Sequence, residues 1–269
     1  MDMMAALRLQ IEWGADEALE DAPVNRMVAR AAAPNAVRAV PERPLLERPA
    51  MQPLVKPWAK RVATPASSPV QRAQQLAESA ATREELRAAL TGFDGCALSA
   101  TATNLVFADG NPVSGLMLIG EGPGAEEDRT GTPFVGAAGQ LLDRMMASVG
   151  LDRTQCLITN LLPWRPPGNR NPTDSEMRIC LPFVLRHIAL VQPRRLVLLG
   201  AFATNAILGG KGSITRLRGR WAEAVVPGIT APIAALPMLH PAYLLRNGAA
   251  KREAWADWLA LRRSIDSDV

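Results

Sequence analysis

Two short segments of this chain carry residue types suited to chemistry: Gly120-Glu121-Gly122-Pro123-Gly124, and His240 at the head of His240-Pro241-Ala242-Tyr243-Leu244-Leu245-Arg246. Glycines let backbone N–H groups come close to a planar or anionic ligand. An imidazole can donate, accept or carry a proton near neutral pH. Each segment follows an apolar run that reads as a buried strand, Leu116-Met117-Leu118-Ile119 before the first and Ile233 to Leu239 before the second. Both therefore fall at strand carboxyl ends, where open α/β sheets bind their ligands. Between them lie Phe134, in Pro133-Phe134-Val135-Gly136, and Asn160, which closes the run from Cys156. Read alone, such a phenylalanine belongs to a core and such an asparagine to a turn.

The elements that must hold these residues alternate. After the first strand, Gly139 to Val149 has Leu141, Leu142, Met145 and Met146 at helical spacing. Thr173-Asp174-Ser175-Glu176 has the form of a capping box opening another helix. Arg195 to Gly200 reads as a strand and Phe202 to Leu208 as a short helix. Strand and helix in alternation imply a mainly parallel sheet covered on both faces. Upstream, a helical pattern runs from Val70 through Ala81 and a second helix begins near Thr82. His187, the other histidine of the two, sits inside an apparent helix from Leu181 to Leu190, where a structural role is expected.

The chain has 269 residues, 48% of them hydrophobic, enough for one substantial domain and an appendage. The charge is uneven: about −4 over residues 1 to 20, +5 over 21 to 70 and +3 beyond. A net +4 is compatible with a polyanionic partner without requiring one. Residues 1 to 20 suit an amphipathic helix, and 21 to 70, holding nine of the 22 prolines, suit a disordered linker. The orderly domain is expected over 71 to 269. Three scattered cysteines give no disulfide framework and fit a reducing compartment. Met1 to Trp13 is interrupted by Asp2, Arg8 and Glu12, so neither a signal peptide nor a membrane span is expected, and the localisation read from the sequence is cytoplasmic.

From about Gly95 onward the ordered blocks resemble family 4 of the uracil-DNA glycosylase superfamily. They are the glycine loop with Glu126-Glu127-Asp128, Thr130 to Gly136, Thr159-Asn160, Arg165 to Arg170, Ser213 to Gly219 and the His240 segment. The resemblance implies a three-layer α/β sandwich around a mainly parallel four-stranded sheet. It also implies uracil-containing DNA as substrate, with the target base flipped from the stack and held by its Watson–Crick edge. The uracil pocket is then Gly120, Glu121, Gly122, Phe134 as the stacking ring, Asn160 as the amide reading O4 and N3–H, and His240 donating to O2. Glu121 and Glu127 are nominated with His240 as catalytic, one for the sugar and water and one near uracil C5, their separate roles left open. Tyr243, Leu244 and Leu245 supply the wedge that fills the gap in the stack, the two leucines being the better candidates. Arg165, Arg170, Arg216, Arg218 and Arg246 face the DNA backbone.

The same resemblance implies a 4Fe-4S cluster on four cysteines, but the matching positions here are Phe93, Cys96, Trp164 and Cys180. Two thiols are too few, so no cluster is expected and the chain falls in a divergent branch. The expected activity is monofunctional: hydrolysis of the N-glycosidic bond to leave an abasic site for base-excision repair, by a monomer. The N-terminal helix is a candidate dock for a repair or replication protein. One alternative is a protein that flips and retains uracil, or holds an abasic site, without efficient turnover. Another is a nucleotide-binding α/β enzyme, disfavoured because no Gly-Lys-Ser/Thr follows the glycine loop and the acidic run would repel phosphate.

Overall fold

The computed structural model describes residues 67–267. The helix expected over residues 1 to 20 and nearly all of the linker expected over 21 to 70 lie outside the described residues. Six strands form one sheet: β1 (Ala108–Gly110), β2 (Leu116–Gly120), β3 (Leu157–Asn160), β4 (Arg195–Leu199), β5 (Ala222–Ala224) and β6 (Ile233–Met238), in spatial order β1-β3-β2-β4-β6-β5. The middle four are parallel, as the alternation of strand and helix requires. The two edge strands are antiparallel additions of three residues each. They are polar or half-exposed and too short for an apolar pattern, which is why the sequence points to four strands where the sheet has six.

Helices α1 (Pro69–Ser79), α2 (Arg83–Thr91), α3 (Ala125–Thr130), α4 (Ala137–Ala147), α5 (Asp174–Val191), α6 (Ala201–Leu208), α7 (Ile214–Leu217), α8 (Pro241–Arg246) and α9 (Lys251–Asp266) complete the domain. The first begins two residues before the expected domain boundary, because Ser68 caps it and Pro69 suits its first turn. Successive side chains on a strand face opposite sides of the sheet. Leu118, Ile158, Val197 and Leu236 pack on one face with Leu142 and Met146 of α4 and Trp258 and Leu261 of α9. Met117, Ile119, Leu157, Leu196 and Leu198 pack on the other with Val184 and Ile188 of α5 and Ala203 and Ile207 of α6. Removing an aliphatic side chain from such a layer costs about 2–5 kcal/mol, so the sheet is a stiff base for whatever stands at its ends.

The parallel register decides what stands there. Gly120 is the partner of Asn160 across β2 and β3, so the glycine loop and the amide emerge side by side. Leu199 is the partner of Met238 across β4 and β6, which brings Gly200 beside the segment leading to His240. The Thr173 capping box forms as the sequence predicts: Glu176 N–H donates to Thr173 Oγ1 at 3.2 Å, and Thr173 N–H to the Glu176 carboxylate at 2.8 Å. The helix it opens carries Pro182 inside and holds His187 in its buried face.

Candidate functional site

A cavity of about 710 Å³ opens at the carboxyl end of the parallel strands and is lined by Glu121, Gly122, Phe134, Asn160, His240, Tyr243 and Arg246, among others. The named residues come from four separate segments of chain. Phe134 and Asn160 close around Gly120 so tightly that a Cβ there would lie 2.4 Å from Phe134 Cζ and 2.4 Å from Asn160 Oδ1. Only glycine fits. Phe134 is 5% exposed, and its backbone is left-handed at φ 56°, a conformation costing about 1–2 kcal/mol for a residue with a Cβ. Its ring centre stands 5.7 Å from that of His240.

His240 has a defined tautomer. Ala242 N–H donates to its Nδ1 at 3.1 Å, capping α8, so the ring proton of a neutral imidazole resides on Nε2. That Nε2 is buried without a partner, and so is Asn160 Oδ1. Burial, helped by the Arg246 guanidinium and opposed by Glu127, lowers the His240 pKa to about 4. The imidazole is neutral at pH 7. Leaving a buried donor or acceptor unpaired costs about 1–3 kcal/mol, which a ligand supplying both partners recovers. Glu121 lies half-buried on the same wall; burial raises its pKa above the ordinary carboxylate value, and Arg246 holds the rise in check.

Glu127 also lines the cavity, with its carboxylate engaged by backbone amides. Its Oε2 accepts from Gly124 N–H at 3.0 Å and its Oε1 from Gly136 N–H at 2.8 Å. The carboxylate thus ties the glycine loop to the Phe134 loop, with both oxygens engaged and the residue 7% exposed. In this position it holds the two loops together at the cavity wall. It also occupies an amide of the glycine loop that a phosphate would need, which weighs against the nucleotide-binding alternative.

The surface residues divide. Leu244 is 0% exposed and packed with Leu141, Leu239 and Ala254, so the expected wedge role for it is corrected: α8 turns this leucine into the core. Leu245, next in line, is 46% exposed, and Tyr243 is exposed beside the cavity. Arg218 is also corrected, since its guanidinium turns inward and donates to both oxygens of buried Asp257 at 2.6 and 2.9 Å. Arg170 pairs with Glu176 at 2.6 Å, while its side chain keeps 43% exposure at the cavity rim. Arg165 donates to Asn169 Oδ1 at 2.7 Å, and Arg216 and Arg246 are exposed. Gly200 is a site residue that sequence reading passed over. Its φ is +93°, and a Cβ on it would lie 3.1 Å from that of His240. A glycine ending an apolar strand was the signal available.

Phe93, Cys96, Trp164 and Cys180 do come together, in an apolar nest with Phe183, each at most 4% exposed. Phe93 meets Phe183 edge-on with ring centres 5.2 Å apart. Cys180, hydrogen-bonded to Cys96 and buried, is held well above the ordinary thiol pKa. Cys156 is elsewhere, against Met146 under the other face of the sheet. Two thiols with two large rings in the remaining corners do not fit a four-thiolate cluster. Among the described residues, no helix is long and apolar enough to cross a membrane.

Comparison with known proteins agrees with this geometry. The sequence profile of the Uracil DNA glycosylase superfamily matches residues 107–259. The chain is 39% identical over 174 residues to the Type-4 uracil-DNA glycosylase of Thermotoga maritima, a match covering 62% of this chain and 86% of that protein. It is 34% identical over 178 residues to the Type-4 uracil-DNA glycosylase of Pyrobaculum aerophilum, covering 65% and 90%. A Type-5 uracil-DNA glycosylase of Mycobacterium leprae is 32% identical over 156 residues, covering 49% and 68%. With the profile spanning more than half of its length, and the cavity drawing on residues inside that span, the chain belongs to the uracil-DNA glycosylase superfamily.

Proposed function

We infer that this protein is a uracil-DNA glycosylase: it removes uracil from DNA by hydrolysing the N-glycosidic bond and leaves an abasic site. The observation that carries the reading is the pair of buried, unpartnered polar atoms, Asn160 Oδ1 and His240 Nε2, of residues that line one cavity with Phe134. A flipped uracil satisfies both. Its N3–H donates to Asn160 Oδ1, its O4 accepts from the Asn160 amide nitrogen, and its O2 accepts from His240 Nε2–H. Cytosine inverts the donor–acceptor pattern on its Watson–Crick edge and leaves the Asn160 atoms mismatched.

As the bond from N1 to the sugar carbon breaks, its electron pair leaves with uracil, and negative charge builds on O2. A neutral imidazole already fixed as a donor stabilises that charge without transferring its proton. Its lowered pKa keeps it in this form across the working range. Water adds its oxygen to the sugar carbon and gives up a proton to solvent, from which the released uracil anion is protonated; in this reading Glu121, half-buried on the cavity wall, orients that water and offsets the sugar's positive charge. Exposed Leu245 fills the vacated stack, and Arg165, Arg170, Arg216 and Arg246 meet phosphates.

The test uses end-labelled oligonucleotides carrying one uracil, single-stranded or opposite guanine or adenine, followed by alkaline cleavage of abasic sites. Wild type breaks the strand at uracil, and Asn160→Ala loses most of that activity. Uracil-dependent binding by wild type without strand breaks would convert the reading to a protein that flips and retains uracil.

We propose further that packing of Phe93, Trp164 and Phe183 holds the region where the family resemblance implies a 4Fe-4S cluster. The donor set supports this, with two thiols where four are needed. Protein purified under anaerobic conditions with iron supplied is expected to lack visible thiolate-to-iron absorption. Stoichiometric iron and sulfide in wild type would overturn the proposal.

A further inference from the structure

Phe134 is held from behind by a group that no motif points to. Arg153, in the turn Arg153–Gln155 that precedes β3, uses all five of its guanidinium N–H groups. Nη1 donates to the Pro133 carbonyl at 3.1 Å and to Asp109 at 2.7 Å. Nη2 donates to the Phe134 carbonyl and, at 3.3 Å, to Asp143, whose other oxygen accepts from Nε at 2.9 Å. Asp109 belongs to β1 and Asp143 to α4, so the guanidinium is anchored to two fixed elements by carboxylates and delivers its remaining donors to the two carbonyls flanking the Phe134 nitrogen and following its Cα. The arrangement is charge-assisted and planar, a fit that lysine cannot reproduce.

What it holds is unusual. Phe134 takes a left-handed backbone, φ 56°, which an L-residue with a Cβ adopts only when its surroundings impose it. In that conformation its ring lies against Gly120 and 5.7 Å from the His240 ring. We propose that Arg153, braced by Asp109 and Asp143, is a positioning residue for uracil excision that fixes the Phe134 platform by binding the Pro133 and Phe134 carbonyls. The proposal rests on the glycosylase reading above, and it makes an edge strand with no catalytic residue part of the machinery for base recognition.

The experiment is a double-mutant cycle on single-turnover uracil excision, with Arg153→Lys made in the wild-type and Phe134→Ala backgrounds and melting temperatures recorded for every variant. In wild type, Arg153→Lys is expected to slow excision by about tenfold to a hundredfold, the scale of a small misplacement of a binding group. In Phe134→Ala, where there is no platform left to position, it is expected to change the rate by less than about threefold. Equal losses in both backgrounds would mean that Arg153 supports the fold at large, and the proposal would fall while the glycosylase reading stood. Undiminished activity of Phe134→Ala would sink the platform and the proposal together, and an inactive wild type would sink the glycosylase reading with both. If Arg153→Lys does not fold, Asp143→Asn keeps the guanidinium and loosens one anchor. It is expected to show the same dependence on background at smaller size, and an additive loss there would overturn the proposal equally.

Discussion

Two histidines occur in this protein, His187 fully buried and His240 half-buried with its Nε2 enclosed, both held neutral, and only one stands in the cavity. His187 sits on α5 with its pKa lowered to about 3 by burial and the nearby Arg83 cation; His240 sits at the head of α8 with its pKa lowered to about 4 by burial and Arg246. Their partners separate them. His187 Nε2 accepts from Arg83 Nε at 3.2 Å, and its ring stacks on Phe107 with centres 4.6 Å apart. His240 Nε2 has no partner. A depressed pKa therefore marks burial in both cases, and the unmet donor marks the one prepared for a ligand.

The comparison breaks most visibly at His240. His240→Ala is expected to lower single-turnover excision by about a hundredfold to a thousandfold, the cost of removing one donor to a developing anion. Its melting temperature is expected to fall only modestly: the unpaired Nε2–H contributes no stability to lose, and the Nδ1 cap on α8 is worth about 0.5–2 kcal/mol. A variant that melts early and excises normally once folded would make His240 a structural residue like His187.

His187→Leu is the opposite case. Arg83 Nε loses its acceptor and the stack on Phe107 goes, a loss of about 1–3 kcal/mol in stability, read by denaturant unfolding, with the excision rate of folded protein unchanged. The variant also alters the pH dependence. The unfolded chain protonates His187 near pH 6.5 and the folded chain only near pH 3, so between those values the unfolded state binds more protons. Wild-type stability thus falls as pH drops through that window, and His187→Leu is expected to flatten the fall. An unaltered slope would show that His187 is not buried neutral.

How much of this was legible depends on the distance over which residues make their contacts. Gly120, Asn160 and His240 were readable because each ends an apolar run, and the ends of parallel strands converge by topology alone. Phe93 and Trp164 were readable as departures at fixed spacing, although only the fold brings them to Phe183. Leu244 and Leu245 were not separable, since neighbouring positions on a six-residue helix have no pattern long enough to say which faces inward. Arg218 read as a surface cation because Asp257, its partner, comes 39 residues later. Glu127 carried the signal of a carboxylate in a helix's first turn, and that local role, capping at Gly124, is the one it takes, extended across to Gly136. Arg153 gave no signal, because its four partner residues come from β1, the Phe134 loop and α4 and meet only in three dimensions.

The smallest expected effect sharpens the comparison through the cations beside each histidine. Arg83 touches its histidine and is part of a packed pair, whereas Arg246 is exposed at the cavity rim and acts at a distance on both His240 and Glu121. Arg246→Met takes a positive charge from beside two groups. Without it, Glu121 holds its proton to higher pH, and His240 gains one at higher pH than before. Both changes remove the active protonation state from the acid side, so the acid limb of the single-turnover rate is expected to move upward in pH. An exposed charge is worth about 0.2–1 kcal/mol, so the shift is modest and shrinks as salt is added. Measuring the limb at saturating enzyme separates it from the weaker phosphate contact that the same substitution brings. A limb that stays in place in Arg246→Met while DNA affinity falls would confine Arg246 to the backbone of the substrate and leave burial alone as the cause of a neutral His240.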